Sequence, residues 1–243
     1  MSERSDGTEL RGAPPAPVRE ALDSGDPLPG TAGFGGRLDG ALVRDVLGRV
    51  PAFAERDGPE WSFDPADLDD PESVPAGHVR TVEGDERAWA ADGDERVWTL
   101  PDPDPAEDDA AAVEAVRSAV RESVDAVDTD GLAVAFSGGV DSAALAARLD
   151  APLYVAGFPD SHDVEAARTA AEALGRDLRV VEITHDDLER AVPEVVAAFG
   201  RTNAMDVQIA LPLYLVAERA AADGFDRLAV GQGADELFGG YAK

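Results

Sequence analysis

Two short stretches carry residues that could do chemistry together. The first is LAVAFSGGVDSAALAARL, Leu132–Leu149. An apolar run stops at Ser137, Gly138 and Gly139 follow, and Val140, Asp141 and Ser142 open an alanine-rich helical stretch. Glycines at a strand-to-helix turn let the backbone bend sharply and approach a ligand closely. The amides at the start of the next helix favour an anion, and the hydroxyls of Ser137 and Ser142 can add hydrogen bonds. An aspartate beside phosphate is repulsive until a metal joins it. Mg2+ takes a few carboxylates together with phosphate oxygens, so Asp141 reads as its ligand. The spacing is not that of a Walker loop, and the Walker lysine is missing. Taken alone, the stretch could also be an ordinary glycine turn before a helix.

The second stretch is VGQGADELFGGY, Val230–Tyr241. It too follows an apolar run, and it offers Gly231, Gln232 and Gly233, then Asp235 and Glu236, then two more glycines. In open parallel sheets ligands bind beyond the carboxyl ends of strands, where the winding direction switches. If the strands before the two stretches are neighbours, both loops face one crevice. Asp141 and Asp235 could then share one or two Mg2+ ions on a triphosphate.

The elements that must position these loops are legible from periodicity. Val113, Val116, Val120, Val124 and Val127 recur at helical steps, predicting an amphipathic helix. Strands are expected over 131–136, 152–158, 178–183 and 226–231, and helices over 139–149, 162–175, 186–200 and 207–224, the last with Pro212 near its first turns or at a kink. Alternating strands and helices imply a parallel sheet covered on both faces. The expected fold class is therefore α/β, a doubly wound parallel sheet, preceded by a small β-rich N-terminal module. Residues 1–29 read as an N-terminal extension, 30–103 as the module, 104–111 as an acidic linker and 112–243 as the nucleotide-binding domain. Trp61, Trp89 and Trp98 are expected to pack the module, and the linker acids to be solvated.

Composition limits the function classes. The 243 residues carry 50 acids against 21 bases, a net charge of −29, which argues against nucleic-acid binding. Lys243 is the only lysine. Heavy Asp and Glu use with almost no lysine suits a salt-rich cytoplasm, where screening shortens to a few ångströms. Cysteine is absent, which excludes disulfides, thiolate metal sites and a cysteine nucleophile within these residues. His78, His162 and His185 show no metal-ligand spacing. No run reaches transmembrane length and the N-terminus does not read as a signal peptide, so a cytoplasmic location without membrane partners is expected.

SGGVDS resembles the pyrophosphate-binding (PP-loop) motif of ATP pyrophosphatases, which split ATP into AMP and pyrophosphate while activating an acyl or carbonyl oxygen. Its pairing with GQGADELFGGY, each after a strand, resembles the asparagine synthetase family from about residue 112 onward. Segments at 37–55, 63–68, 74–79 and 97–103 are similar in order to the later half of that family's glutaminase domain, so the module resembles a reduced remnant without its nucleophile. A generic acidic β-rich extension is the alternative.

The resemblance implies an AMP-forming amide ligase. An aspartate carboxylate attacks the α-phosphate of ATP, a β-aspartyl adenylate forms, and ammonia displaces AMP. It implies ATP and Mg2+ as cofactors and ATP, aspartate and ammonia as small-molecule partners, with a homodimer left open. Ser137, Gly138, Gly139, Val140, Asp141 and Ser142 would hold pyrophosphate, Asp141 and Asp235 the metal. Phe136, Ala156, Val230, Gly231 and Gly233 would line the ATP site. Gln232, Asp235 and Glu236 are the candidate catalytic positions, and a capping role for Glu236 is equally open.

Three departures stand out. Gln232 replaces an acid of the family's GEGSDE, and glutamine cannot act as a base. Ala210–Leu211 replace a polar pair before Pro212. The chain also ends at Lys243, where the family continues with a lysine for adenylation, so a fragment, a truncated product or a degenerate paralogue is expected. A ligase for another carboxylate and a non-catalytic Mg-ATP-binding paralogue are the alternatives. A tRNA-modifying pyrophosphatase is disfavoured by the acidic charge, the missing cysteines and GADELFGGY.

Overall fold

The computed structural model describes residues 8–81, 94–102, 104–199 and 202–238. Trp89 and the terminal Gly239, Gly240, Tyr241 and Lys243 lie outside the described residues. The chain divides into two compact units, Met1–Asp104 and Pro105–Lys243.

The first unit contains β1 (Glu9–Arg11), α1 (Pro15–Ser24), β2 (Gly35–Leu38), β3 (Ala41–Arg44), β4 (Phe53–Glu55), β5 (Trp61–Ser62), β6 (Pro71–Ser73), β7 (His78–Thr81) and β8 (Asp94–Arg96). Among the described residues they form an antiparallel sheet in the order β1-β2-β3-β7-β8 and a second in the order β5-β4-β6. Residues 9–24 of the expected N-terminal extension pack into this unit. β1 pairs with β2, and Val18 and Ala21 of α1 share a core with Phe34, Leu38, Val43 and Trp98. Trp98 is 2% exposed, and its indole N–H donates to the Ala21 carbonyl at 3.2 Å. The prolines at 14, 15 and 17 hide this helix in the sequence, although proline at a helix start removes only an amide with no helical partner. Arg80, 1% exposed, ties the two sheets together by pairing with Asp94 at 2.6 Å and Glu72 at 3.1 Å.

The second unit contains α2 (Asp109–Asp125), β9 (Leu132–Ala135), α3 (Val140–Ala146), β10 (Leu153–Gly157), α4 (His162–Leu174), β11 (Leu178–Glu182), α5 (His185–Phe199), α6 (Ala204–Ala222), β12 (Arg227–Ala229) and α7 (Ala234–Phe238). Four of these are strands, all parallel, in the order β11-β10-β9-β12. The expected α/β parallel sheet and β-rich first unit are both present. β9 is buried on both faces, so its sequence runs apolar without alternation. Leu132, Val134 and Phe136 pack with Val164, Ala167 and Ala171 of α4, while Ala133 and Ala135 pack with Val216 and Ala220 of α6. α4 and α6 therefore cover opposite faces.

Local differences from the expected elements have simple causes. α2 begins at Asp109 because the Asp108 carboxylate accepts from the amides of Ala110 and Ala111, so this linker acid is a helix cap. Along its valine stripe only Val124 is buried, whereas Val113, Val116 and Val127 are exposed. α3 stops at Ala146, short of the expected 149. Gly175 ends α4 in the left-handed region, φ 65°, as its sequence predicts.

Candidate functional site

The first loop is built outward from β9. Phe136 continues the strand, its amide donating to the Tyr154 carbonyl at 2.7 Å. Phe136 is 1% exposed and belongs to the core. Burial of such a ring contributes about 2 kcal/mol and fixes the strand end from which the loop departs. Gly138 then turns the chain with φ 79°. A Cβ there would stand 2.9 Å from both the carbonyl oxygen of Ala166 and the Cα of Ala167, so the turn lies flat against α4. Gly139 is extended and caps α3, with Asp141 in its first turn.

The two hydroxyls organise the loop. Ser142 Oγ donates to the Gly139 carbonyl at 3.1 Å and accepts from the Ser137 amide at 3.3 Å. The Ser137 and Ser142 hydroxyl oxygens lie 3.2 Å apart, and Ser137 Oγ accepts from the Gly139 amide at 3.3 Å. Ser142 is 4% exposed.

β12 pairs directly with β9, so the second loop emerges beside the first. A Cβ at Gly231 would lie 3.0 Å from the Asp141 Cβ and 3.1 Å from the Ser142 amide nitrogen. Gly231 is thus seated on the start of α3, and the condition set from the sequence, neighbouring strands, is met. Gly233 has φ 92°, and a Cβ there would meet no atom within 4 Å. Its carbonyl accepts from the Leu237 amide at 3.2 Å at the start of α7.

The loops open on one cleft of about 250 Å3 at the carboxyl ends of β9, β10 and β12. From the first loop, Phe136, Ser137, Gly139, Asp141 and Ser142 line it. From elsewhere among the expected residues come Ala156, Val230, Gly231 and Gln232. Gly138, Val140, Gly233 and Asp235 are not on its wall. Gly138 acts behind the loop instead, Val140 is 80% exposed, and Asp235 is exposed on α7. Glu236 lies in α7, and its side chain is outside those described. In sequence this short helix reads as loop, because glycines flank it on both sides.

Sequence reasoning missed part of the wall. Asp163, in the first turn of α4, lines the cleft, as do Leu213 and Val216 of α6. Pro212 lines it too, within α6. The wall is therefore polar on the α3–α4 side and apolar on the α6 side. Tyr154 also lies on the wall, with its hydroxyl donating to Asp223 at 2.7 Å. Burial and that hydrogen bond hold the Tyr154 phenol above its ordinary pKa.

Among the described residues no three carboxylate or histidine side chains gather as a metal cage. Mg2+ bound through phosphate oxygens requires only one or two carboxylates, and the Asp141 carboxylate, exposed at the amide-rich start of α3, fits that donor set.

An open parallel sheet with a serine–glycine loop at a helix start, and a second glycine loop on the neighbouring strand, is the architecture of phosphate-binding α/β domains. The family described as asparagine synthase matches residues 115–243, just over half the chain, and the chain belongs to that family. It is 36% identical over 133 residues to the Methanocaldococcus jannaschii protein assigned as glutamine-hydrolyzing asparagine synthetase 1, covering 53% of this chain and 24% of that protein. To asparagine synthetase B (glutamine-hydrolyzing) of Escherichia coli it is 28% identical over 88 residues, covering 36% of this chain and 16% of the relative. The chain thus matches about a quarter or less of the length of these relatives. An NH3-dependent NAD synthetase of Campylobacter jejuni overlays at 18% identity with a TM-score of 0.35, covering 57% of this chain and 62% of its own, a likeness too slight to bear on function. No helix among the described residues is long and apolar enough to cross a membrane.

Proposed function

We propose that the cleft binds Mg-ATP and that the chain carries the adenylating site of an AMP-forming amide ligase, with aspartate as the carboxylate and ammonia as the nucleophile. The observation that carries this reading is the seating of Gly231 on Asp141 and Ser142, which makes one cleft of two loops far apart in sequence. The polar side, with the α3 amides and two serines, suits the phosphates. The apolar side, with Leu213 and Val216, suits the adenine ring.

In the first step a carboxylate oxygen attacks the α-phosphorus, the bond to the β-phosphate oxygen breaks, and pyrophosphate leaves with the electron pair. In the second, ammonia attacks the acyl carbon, the bond from that carbon to the phosphate oxygen breaks, and AMP leaves. The chain's task is to hold two anions in line and offset their repulsion with fixed dipoles. The Gly139 amide and the Ser137 and Ser142 hydroxyls, which now satisfy one another, turn toward phosphate oxygens. Mg2+, held by Asp141 with the phosphates, would neutralise charge building on the leaving pyrophosphate. Gln232 can orient a substrate by hydrogen bonds but cannot take a proton, so the surplus proton of ammonia passes to solvent. Asp235, exposed on α7 beyond the wall, acts on the metal or the acceptor only if that arm moves inward.

Gln232 favours a second reading, in which the cleft holds Mg-ATP without turnover or activates a different carboxylate. The acidic surface suits function in a salt-rich cytoplasm. The test is product analysis of ATP turnover in molar KCl with Mg2+, with aspartate and ammonia, with other carboxylates, and with no acceptor. AMP and pyrophosphate released only when aspartate is present are the expected result. ATP binding without pyrophosphate release for any carboxylate would overturn the ligase reading in favour of the second.

A further inference from the structure

The short helix that carries Asp141 and Ser142 to the cleft is held from its far end. α3 has seven residues and is about 10 Å long. Within it only Ser142 and Ala146 are buried, and Ala143 and Leu145 add partly buried contact. Such small side chains remove little apolar surface from water, so packing alone secures this helix weakly. Its last carbonyls also have no partner inside the helix. Ala146 is buried, and so are Leu149 and Ala151 in the turn that leads to β10. One side chain satisfies the carbonyls of all three. Arg176 Nη1 donates to Ala146 at 2.7 Å and to Leu149 at 3.0 Å, and Nη2 donates to Ala151 at 2.6 Å.

Arg176 is itself anchored. It follows Gly175, the left-handed end of α4, and its amide donates to the Ala171 carbonyl at 2.9 Å. Ala171 shares a core with Ala146, Leu149 and Ala151. A second arginine, Arg148, lies just past α3 and pairs with Asp125, but both side chains are exposed. Such a pair is screened at molar salt, whereas hydrogen bonds to buried carbonyls are not. Loss of the Arg176 guanidinium leaves three buried carbonyls without this donor, and buried unpaired carbonyls drive the chain toward other partners or water. A helix of two turns moves as one body, so a shift at Ala146 reappears at Asp141 and Ser142.

We propose that Arg176 is a positioning residue for the cleft: by holding the far end of α3 it sets where Asp141, Ser142 and the α3 amides meet phosphate; this rests on the reading of the cleft as an ATP site. The experiment is titration calorimetry on the full chain in molar KCl with Mg2+, below the melting temperature of every protein compared. The ligands are ATP and inorganic pyrophosphate. The proteins are the wild type, Arg176→Ala, Arg176→Lys and Val195→Ala, the last removing buried packing in α5 away from the cleft wall. Arg176→Ala should bind both ligands about tenfold more weakly, because the contacts it displaces are to phosphate. Arg176→Lys keeps the charge but not the planar fork, and should lose about threefold. Val195→Ala should melt lower yet bind both ligands as the wild type does. A merely structural role would lower the melting temperature of Arg176→Ala and leave its affinities unchanged, and that result overturns the assignment. Equal weakening in Val195→Ala overturns it too, since affinity would then follow stability and not position. So does a loss for ATP with pyrophosphate binding intact, which would place the effect at the nucleoside. Should Arg176→Ala fail to fold, Arg176→Lys decides, and wild-type affinity for both ligands in that variant overturns the assignment. If the wild type binds neither ATP nor pyrophosphate, the ATP reading falls and takes this assignment with it.

Discussion

The two loops that meet at the cleft are held by different means. The Ser137–Gly139 turn is fixed from behind by the α4 backbone and from within by paired hydroxyls. The Val230–Gly233 arm touches its neighbour at Gly231, while Gln232 is exposed and Gly233 has open space around it. The first is a cradle whose shape depends on core packing. The second is an arm whose placement depends largely on one contact. Substitutions should therefore act on folding in the first loop and on ligand affinity in the second.

The largest effect is expected at Gly138. An alanine there meets two backbone atoms of α4 at 2.9 Å and must hold φ 79°. Left-handed strain costs roughly 1–2 kcal/mol, and overpacking against backbone roughly 1–3 kcal/mol more. Urea unfolding of Gly138→Ala in molar KCl should show a loss of about 3 kcal/mol. A variant as stable as the wild type would remove the distinction between the loops.

Gly231→Ala should behave differently. Its Cβ contacts of 3.0 and 3.1 Å require a shift of Asp141 and Ser142 by a few tenths of an ångström, not a refolded turn. The stability loss should be about 1 kcal/mol. Mg-ATP affinity, measured by titration calorimetry, should fall about tenfold because the start of α3 moves. Gly233→Ala carries left-handed strain of roughly 1 kcal/mol but no clash, so its affinity loss should be the smaller of the two. If Gly231→Ala binds Mg-ATP as tightly as the wild type, the loops do not act as one site.

What can be read from the sequence divides along the same line. The β9–α3 and β10–α4–β11 units are legible because buried parallel strands read as apolar runs and glycines mark the turns. The loop at Ser137–Ser142 is legible for the same reason. What Gly138 presses against is not, since Ala166 and Ala167 are ordinary helix residues in sequence. Asp163 is hidden because an acid in a first turn looks like a helix start, and only the strand order brings it to the cleft. Pro212 reads as a residue near the first turns of its helix or at a kink, but its presence on the apolar wall depends on which face of the sheet α6 covers. α7 escapes a sequence reading because its glycine flanks outweigh five helical residues.

The smallest effect is expected beneath the cleft, where packing and charge act together. The Tyr154 ring is buried under the cleft, and its hydroxyl donates to Asp223 Oδ2 at 2.7 Å. Arg219 and Arg179 also donate to that carboxylate, each at 3.0 Å. The Tyr154 hydroxyl foremost, then these guanidinium groups, hold the Asp223 carboxyl below its ordinary pKa. A depressed folded-state pKa adds stability above the unfolded value, about 3.9, and that stability is lost as pH falls through the folded value. Thermal melts from pH 5 downward should therefore show a shallower acid limb for Asp223→Asn than for the wild type. Tyr154→Phe should shift the limb in the same sense by removing the foremost donor, while Gly138→Ala should lower the whole curve without changing its slope. Molar salt screens the exposed guanidinium charges but not the short phenol bond. The difference between wild type and Tyr154→Phe should accordingly survive in KCl, and its disappearance there would assign the depressed pKa to the arginines alone.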